Sequence, residues 1–210
     1  MLPDLVNPGR ETEVILIDGG SDDETAQVVA RFPRVRFLMS ARGRARQMNA
    51  GAREARGDIL LFLHADTRLP SGALETIASA LQDSRVIGGR FDVHFDSSRP
   101  VFRMIALFMN VRSRFSGIST GDQAIFVRRD VFEAVGGYPD IPLMEDIELS
   151  RRLKRRGRLA ALSLRVVTSA RKWEREGALR TIVLMWTLRF LYAVGVSPAR
   201  LHLWYYGRHA

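Results

Sequence analysis

Apolar positions in this 210-residue chain follow two regimes. From residue 13 to about residue 82, short aliphatic runs alternate with stretches of helical period. Residues 13–18 (EVILID) form a β-branched run closed by an acid, and Gly19 and Gly20 separate it from a helix-like stretch at 22–31. Residues 35–39 give a second run and 43–56 a second helix. Residues 58–63 (DILLFL) are apolar after their leading Asp, as a strand covered on both faces should be. Pro70 sits in the first turn of a helix over 70–82, with Leu74, Ile77, Ala78 and Leu81 at helical spacing. This alternation predicts βαβ crossovers and a mostly parallel sheet with flanking helices, an α/β architecture.

The second half is less regular. Strands are predicted over 86–95, 123–128 and 159–168, and helices over 100–115, 145–156 and 178–196. No repeat, low-complexity tract or linker interrupts the chain, so the expected organisation is one domain over 1–170 with a helical extension over 171–210. The apolar run at 181–196 (TIVLMWTLRFLYAVGV) has 16 residues and is broken by Arg189, short of the ~20 needed to span a bilayer. It either covers the domain or lies in a membrane interface. In the second case Arg171, Lys172, Arg175, Arg180 and Arg200 would flank it, with Trp204, Tyr205 and Tyr206 at headgroup level. Residues 100–115 carry a similar mix of Phe, Met, Ile and Arg.

Composition narrows the classes. With 46% hydrophobic and 26% charged residues the chain is neither disordered nor a polytopic membrane protein. Having no cysteine, it lacks a disulfide framework, a thiolate zinc site and a thiol nucleophile. Net charge is +9, carried mostly by arginine, whose planar fork suits phosphate. Phosphorylated small molecules, nucleic acid and anionic membranes all fit that charge. Its placement beside strand ends favours the first, and no nucleic-acid partner is expected. No secretory leader pattern opens the sequence, so the expected location is cytoplasmic, at the inner face of the membrane if the membrane is involved.

Ligands of open α/β sheets gather beyond the carboxyl ends of strands. Asp18 ends the first strand, followed by glycines that let backbone approach a ligand and by Ser21 or Asp22 as helix caps; an ordinary βα junction wants the same residues. His64-Ala65-Asp66-Thr67 follows the DILLFL strand. There Asp66 is placed either to hold a hard divalent cation together with a substrate diphosphate or to cap the next helix. Arg42, Arg44 and Arg46 alternate across a helix start. That spacing allows two anion binders and one bystander, or else a solvated basic face. Asn49 and Gly51 suggest close packing or a polar contact. Glu145 and Asp146 open a helix, which the helix dipole favours by itself, and one of them is placed to accept a proton from a hydroxyl.

Taken in order, the segments DGGSDDET, RGRARQMNAGA, FLHADT, TGDQAIFVRR and MEDIELSRRL resemble the inverting family 2 glycosyltransferases of the GT-A fold, in particular small bacterial members with HADT in place of two acids flanking one residue. The resemblance implies a nucleotide-diphosphate sugar donor and a divalent Mg²⁺ or Mn²⁺ held by Asp66. Asp18, Gly19 and Gly20 would border the nucleotide, and Arg42, Arg44 and Asn49 the diphosphate or ribose. Gly121 and Asp122 would lie beside donor sugar and acceptor, with Asp146 as catalytic base and Glu145 next to it. The acceptor is unknown; a lipid-linked one would explain peripheral membrane contact. Trp173, in an imperfect echo (SARKW) of the family's Gln-x-x-Arg-Trp motif, either stacks on an acceptor sugar or packs at the core rim. The family also opens with a strand and an IPxxNE-like signature. Here residues 1–6 read as the tail of the helix that follows it, so ~30 residues, one βα unit, are expected to be missing. The competing expectations are a sugar nucleotidyltransferase and a truncated chain that binds nucleotide or membrane without turnover.

Overall fold

The structure, a computed structural model, describes residues 12–207, so the reading of residues 1–6 lies outside it. Strand β1 (Val14–Asp18) pairs in parallel with β2 (Val35–Met39), from Val14 opposite Val35 to Asp18 opposite Met39. Between them lies the short helix α1 (Thr25–Val29). Helix α2 (Arg44–Glu54) follows and packs on β1 closely enough that a Cβ on Gly51 would stand 3.2 Å from the Ile17 side chain. That contact explains a glycine in mid-helix despite its entropic cost.

The second sheet has five strands in the order β3-β6-β5-β7-β4. These are β3 (Ile59–Phe62), β4 (Thr67–Arg68), β5 (Val86–Phe95), β6 (Ile125–Arg128) and β7 (Arg158–Thr168). The long β5–β7 ladder is parallel, while the shorter β3–β6, β5–β6 and β4–β7 ladders are antiparallel. The architecture is therefore mixed α/β, with the longest ladders parallel. Side chains alternate across it as a period of two requires. Phe91, Phe126 and Val166 face a core that includes Ile77 of α3 (Ala73–Ala80) and Phe102 and Ile105 of α4 (Pro100–Ser116). Leu60, Ile87 and Val127 face the other core, with Ala45 of α2, Phe132 of α5 (Arg129–Ala134) and Leu149 and Leu153 of α6 (Glu145–Lys154).

Two irregularities bend β5: register shifts fall between Val86 and Gly88 and between Phe91 and Asp92, which re-aim its end. At the first, neighbouring strands crowd the backbone. A Cβ on Gly89 would lie 2.3 Å from the Ala160 carbonyl and 2.7 Å from the Phe126 ring.

Helices α7 (Arg171–Glu176), α8 (Ala178–Ala193) and α9 (Pro198–Tyr206) complete the chain. Leu188 of α8 and Leu201 and Tyr205 of α9 are buried against Leu143, Met144 and Ile147. The extension thus closes over the segment that opens α6. Its outer surface stays apolar: Val183, Trp186 and Phe190 of α8 and Leu107, Phe108 and Phe115 of α4 are exposed. Among the described residues no helix is long and apolar enough to cross a membrane.

The structure departs locally from the sequence expectations. The apolar run at 181–196 ends early, because Gly195 turns at φ +94° and Pro198 opens α9. Helix α3 starts at Ala73, with left-handed Gly72 at its N-cap, so Pro70 precedes it and Asp66 does not cap it. Neither Ser21 nor Asp22 caps α1; Asp23 accepts the Thr25 N–H at 3.0 Å.

Gly89→Ala is expected to cost about 3 kcal/mol, the upper range for overpacking against a backbone that cannot retreat. Urea unfolding should show a lower midpoint with an unchanged slope.

Candidate active site

The loop after β1 is built around Asp18. Its buried carboxylate accepts N–H bonds from Gly20 (3.1 Å) and Ser21 (2.9 Å) and the Ser21 hydroxyl. These bonds, the hydroxyl's foremost, hold its carboxyl below the usual range. The partner that a buried acid at a strand end needs is therefore its own loop. Gly20 turns at φ +86°, and a Cβ on Gly19 would press on the Gln47 amide at 3.0 Å.

The three arginines at the start of α2 take different directions. Arg42 reaches back to the Gly20 carbonyl at 3.4 Å, joining this helix start to the Asp18 loop. Arg46 pairs on the surface with Asp140 at 2.8 Å. Arg44 turns toward the acids of α6, 3.9 Å from Glu145, with Asp122, Asp146 and Tyr206 also near. Desolvation works against its charge, but the surrounding acidic groups raise its pKa regardless. Asn49 serves packing. Its amide donates to the Tyr138 carbonyl (2.7 Å) and accepts the Tyr138 N–H (2.9 Å).

Beyond β3, the His64 Nδ1 lies 3.5 Å from Asp122 in a 3₁₀ turn at Gly121–Gln123. The Nε2–Cε1 edge of the imidazole lies against Gly121, where a Cβ would be 2.2 Å from Nε2. Burial opposes protonation of His64, yet the Asp122 hydrogen bond and charge outweigh it and raise the pKa. Asp122 is held low by the same pairing against its own desolvation. Asp66 is exposed, and its carboxylate meets only the Thr67 hydroxyl, at 3.4 Å. Among the described residues no three His, Asp or Glu side chains gather as a metal-ligand set. The donors present suit a hard cation whose other ligands are phosphate oxygens and water.

Glu145 and Asp146 open α6, and the preceding Met144 is left-handed at φ 71°, an uncommon conformation for a side-chain-bearing residue. Asp146 accepts the Gly121 N–H at 3.1 Å and its neighbour Ile147's N–H at 2.8 Å. One turn on, Ser150 accepts the Ser119 N–H at 3.1 Å. Two residues on one face of α6 therefore fix the 119–121 segment against the acids. Glu145 is only 4% exposed, and burial, with Asp146 beside it, pushes its pKa up.

Several residues of this cluster stand outside the five segments that carry the resemblance. Tyr138 is buried with its hydroxyl unpartnered, and burial together with Asp146 and Glu145 raises its pKa. Lys172 of α7 hydrogen-bonds Tyr205 and lies near Asp122; burial lowers its pKa. Arg189 of α8 lies near Asp146 and Asp122, and Arg112 of α4 near Asp146 and Arg189. Their only sequence signal was an arginine within an apolar helix. Trp173 packs edge-on against Phe95, 5.7 Å between centroids, at the rim of the first core.

The constellation therefore joins Arg44, His64, Asp122, Glu145 and Asp146, with Asp66 adjoining through His64 and the Asp18 loop through Arg42. Residues 4–136 match the family model for glycosyl transferase family 2. The chain belongs to that family. Among curated relatives it is 24% identical to the probable glycosyltransferase YdaM of Bacillus subtilis, over 91% of this chain and 49% of that protein. It is 28% identical to the glycosyltransferase AglE of Haloferax volcanii, over 63% and 47%. The chain spans about half the length of these relatives. Its fold is similar to that of S. aureus TarS solved with UDP (TM-score 0.66, 18% identity, 80% of this chain and 55% of that one). It is also similar to the mannosyltransferase PcManGT from Pyrobaculum calidifontis with GDP-Man and Mn²⁺ (TM-score 0.55, 24% identity, 74% and 47%). These neighbours share the GT-A fold, and the expected fold class holds.

The His64–Asp122 pair has a testable pH signature. Because pairing raises the folded-state pKa of His64 above the ordinary 6.5, its stabilisation is fully present below that value and fades as pH rises through the folded pKa. Asp122→Asn should move the His64 NMR titration to lower pH. Gly121→Ala, which displaces the ring, should do the same.

Proposed function

We propose that this chain is an inverting glycosyltransferase that moves a sugar from a nucleotide-diphosphate donor to an acceptor hydroxyl. The observation that carries this reading is the acid pair at the start of α6. Asp146 is held by the Gly121 N–H, with Arg44 alongside and Glu145 buried behind it. Two neighbouring carboxyls in unlike environments are a recurrent acid–base arrangement. TarS was solved with UDP and with UDP-GlcNAc, and PcManGT with GDP-Man and Mn²⁺, which supports a donor of this class.

In the proposed reaction the acceptor hydroxyl gives its proton to Asp146 as its oxygen attacks the anomeric carbon. The bond to the nucleoside diphosphate breaks on the opposite face, so configuration inverts. Arg42 and Arg44, at the N-terminus of α2, take up the charge that grows on the leaving diphosphate. Asp66 would hold a divalent Mg²⁺ or Mn²⁺, which when bound supplies further neutralisation of that diphosphate. Asp18, Gly19 and Gly20 shape the loop that borders the nucleotide, and Gly121 and Asp122 the floor between donor sugar and acceptor. Asn49 acts indirectly, by holding the Tyr138 backbone. The exposed apolar faces of α4 and α8 suit peripheral contact with a membrane carrying the acceptor.

A panel of nucleotide sugars scored for release of nucleoside diphosphate tests the class; release of pyrophosphate would instead indicate nucleotidyl transfer. Asp146→Asn is expected to lower turnover by about a thousandfold or more while donor binding stays, since loss of the base removes a contribution made only in the transition state. Retained turnover would remove Asp146 from that role. Asp66→Ala should weaken donor binding in Mn²⁺ but not in EDTA, as read by calorimetry.

A further inference from the structure

Three arginines beside the cores are withdrawn from solvent, Arg90 wholly and Arg112 and Arg189 in part. Arg90, fully buried in β5, pairs with Asp92 and donates to the carbonyls of Phe91 and Asn110. Arg114 of α4 shares Asp92, at 2.8 Å. Arg112 and Arg189 lack such partners: among the described residues neither forms an ion pair, and the Arg112 Nη2 is shut off from solvent with no hydrogen bond. A desolvated, unpartnered guanidinium is strongly unfavourable, and one in a native fold calls for a missing counter-charge.

The surroundings say what kind. Arg112 and Arg189 come from α4 and α8, helices that share the first core through Phe102, Ile105 and Ile182. The one carboxylate near both is Asp146, whose two oxygens already accept backbone N–H bonds. Two cations therefore stand against one engaged carboxylate. Burial and mutual repulsion bring the Arg112 pKa down to about 10, still charged at neutral pH.

We propose that Arg112 and Arg189 form an anion subsite that grips a phosphate group on the acceptor, next to the hydroxyl that Asp146 deprotonates. This rests on the transferase reading for its place in the reaction, but not for its test. Two planar forks match the oxygens of one phosphate. The exposed Phe108 and Phe115 of α4 and Trp186 and Phe190 of α8 border the same helices. The phosphate can therefore belong to a lipid headgroup or to a soluble phosphorylated acceptor.

The experiment uses the whole chain with two probes: glycerol 3-phosphate by calorimetry, and phosphatidylcholine vesicles with or without phosphatidic acid by co-sedimentation. Arg112→Gln and Arg189→Gln should each weaken binding of the phosphate-bearing probe about tenfold or more. The charge-matched control Arg31→Gln/Arg34→Gln, on the exposed turn between α1 and β2, should change it less than about twofold. Binding of glycerol 3-phosphate assigns a soluble acceptor; binding only to phosphatidic acid vesicles assigns a lipid-borne one. Arg112→Met, which removes an unpaired, half-buried charge, should keep Tm at or above the parent value while losing phosphate binding. UDP and GDP titrations, unchanged in these variants, separate this subsite from the donor site. The proposal fails if neither probe binds, if both vesicle types bind equally with glycerol 3-phosphate ignored, if the control loses as much as Arg112 and Arg189 do, or if Arg112→Met lowers Tm with phosphate binding intact.

Discussion

Adjacent carboxylates drawn out of water demand positive charge, and that demand organises this molecule. Glu145 and Asp146 start a helix whose own dipole supplies only part of the compensation. The remainder arrives from far along the chain: Arg44 from the start of α2 beside Glu145, and His64 and Lys172 beside Asp122. Each lies at an element terminus or on the inner edge of a helix. Meeting the charge requirement thus brings separate crossovers to one end of the sheet, where open α/β folds place their ligands.

Backbone strain is concentrated at the same place. Ala124 (φ 48°) follows the turn that carries Gly121 and Asp122, and Met144 (φ 71°) precedes Glu145 and Asp146. Left-handed conformations of such residues are held by their surroundings, at a cost of order 1–2 kcal/mol each. Ala124 is wholly buried in the first core, and Met144 is clamped by Leu188 and Leu201. Packing thereby sets the direction in which the acids point.

Much of the fold was legible in local pattern. DILLFL read as a doubly covered strand because both faces of β3 meet helices, Leu60 on one side and Leu61 on the other. Helix α6 was evident from acids at one end and a glycine past the other. The pieces that escaped notice have no local period: the two-residue strand β4 exists only because Thr67 and Arg68 meet Thr168 and Val167, a hundred residues away in sequence. The site divides along the same line. Asp146, Asp122 and Arg44 stood in motifs, whereas Tyr138, Arg112 and Lys172 acquire meaning only from long-range neighbours. Asn49 stood in a motif too, but its partner is a backbone distant in sequence. Residue type alone could not separate a ligand-facing amide from one that fastens a loop.

The closing of α8 and α9 over Met144 has a consequence for regulation of the molecule's integrity. The two sheets and their cores involve residues up to Ala170, with Trp173, Ala178 and Ile182 packed at the margin. The third cluster, by contrast, joins the last two helices to the 143–147 segment and Ile118, with Tyr192 also reaching Glu148. Such a satellite unit can open as a cooperative piece while the main body stays native. A proteolytic nick near Gly177, or a partner that peels the last helices away, would free the acid pair from its Met144 clamp without unfolding the sheet.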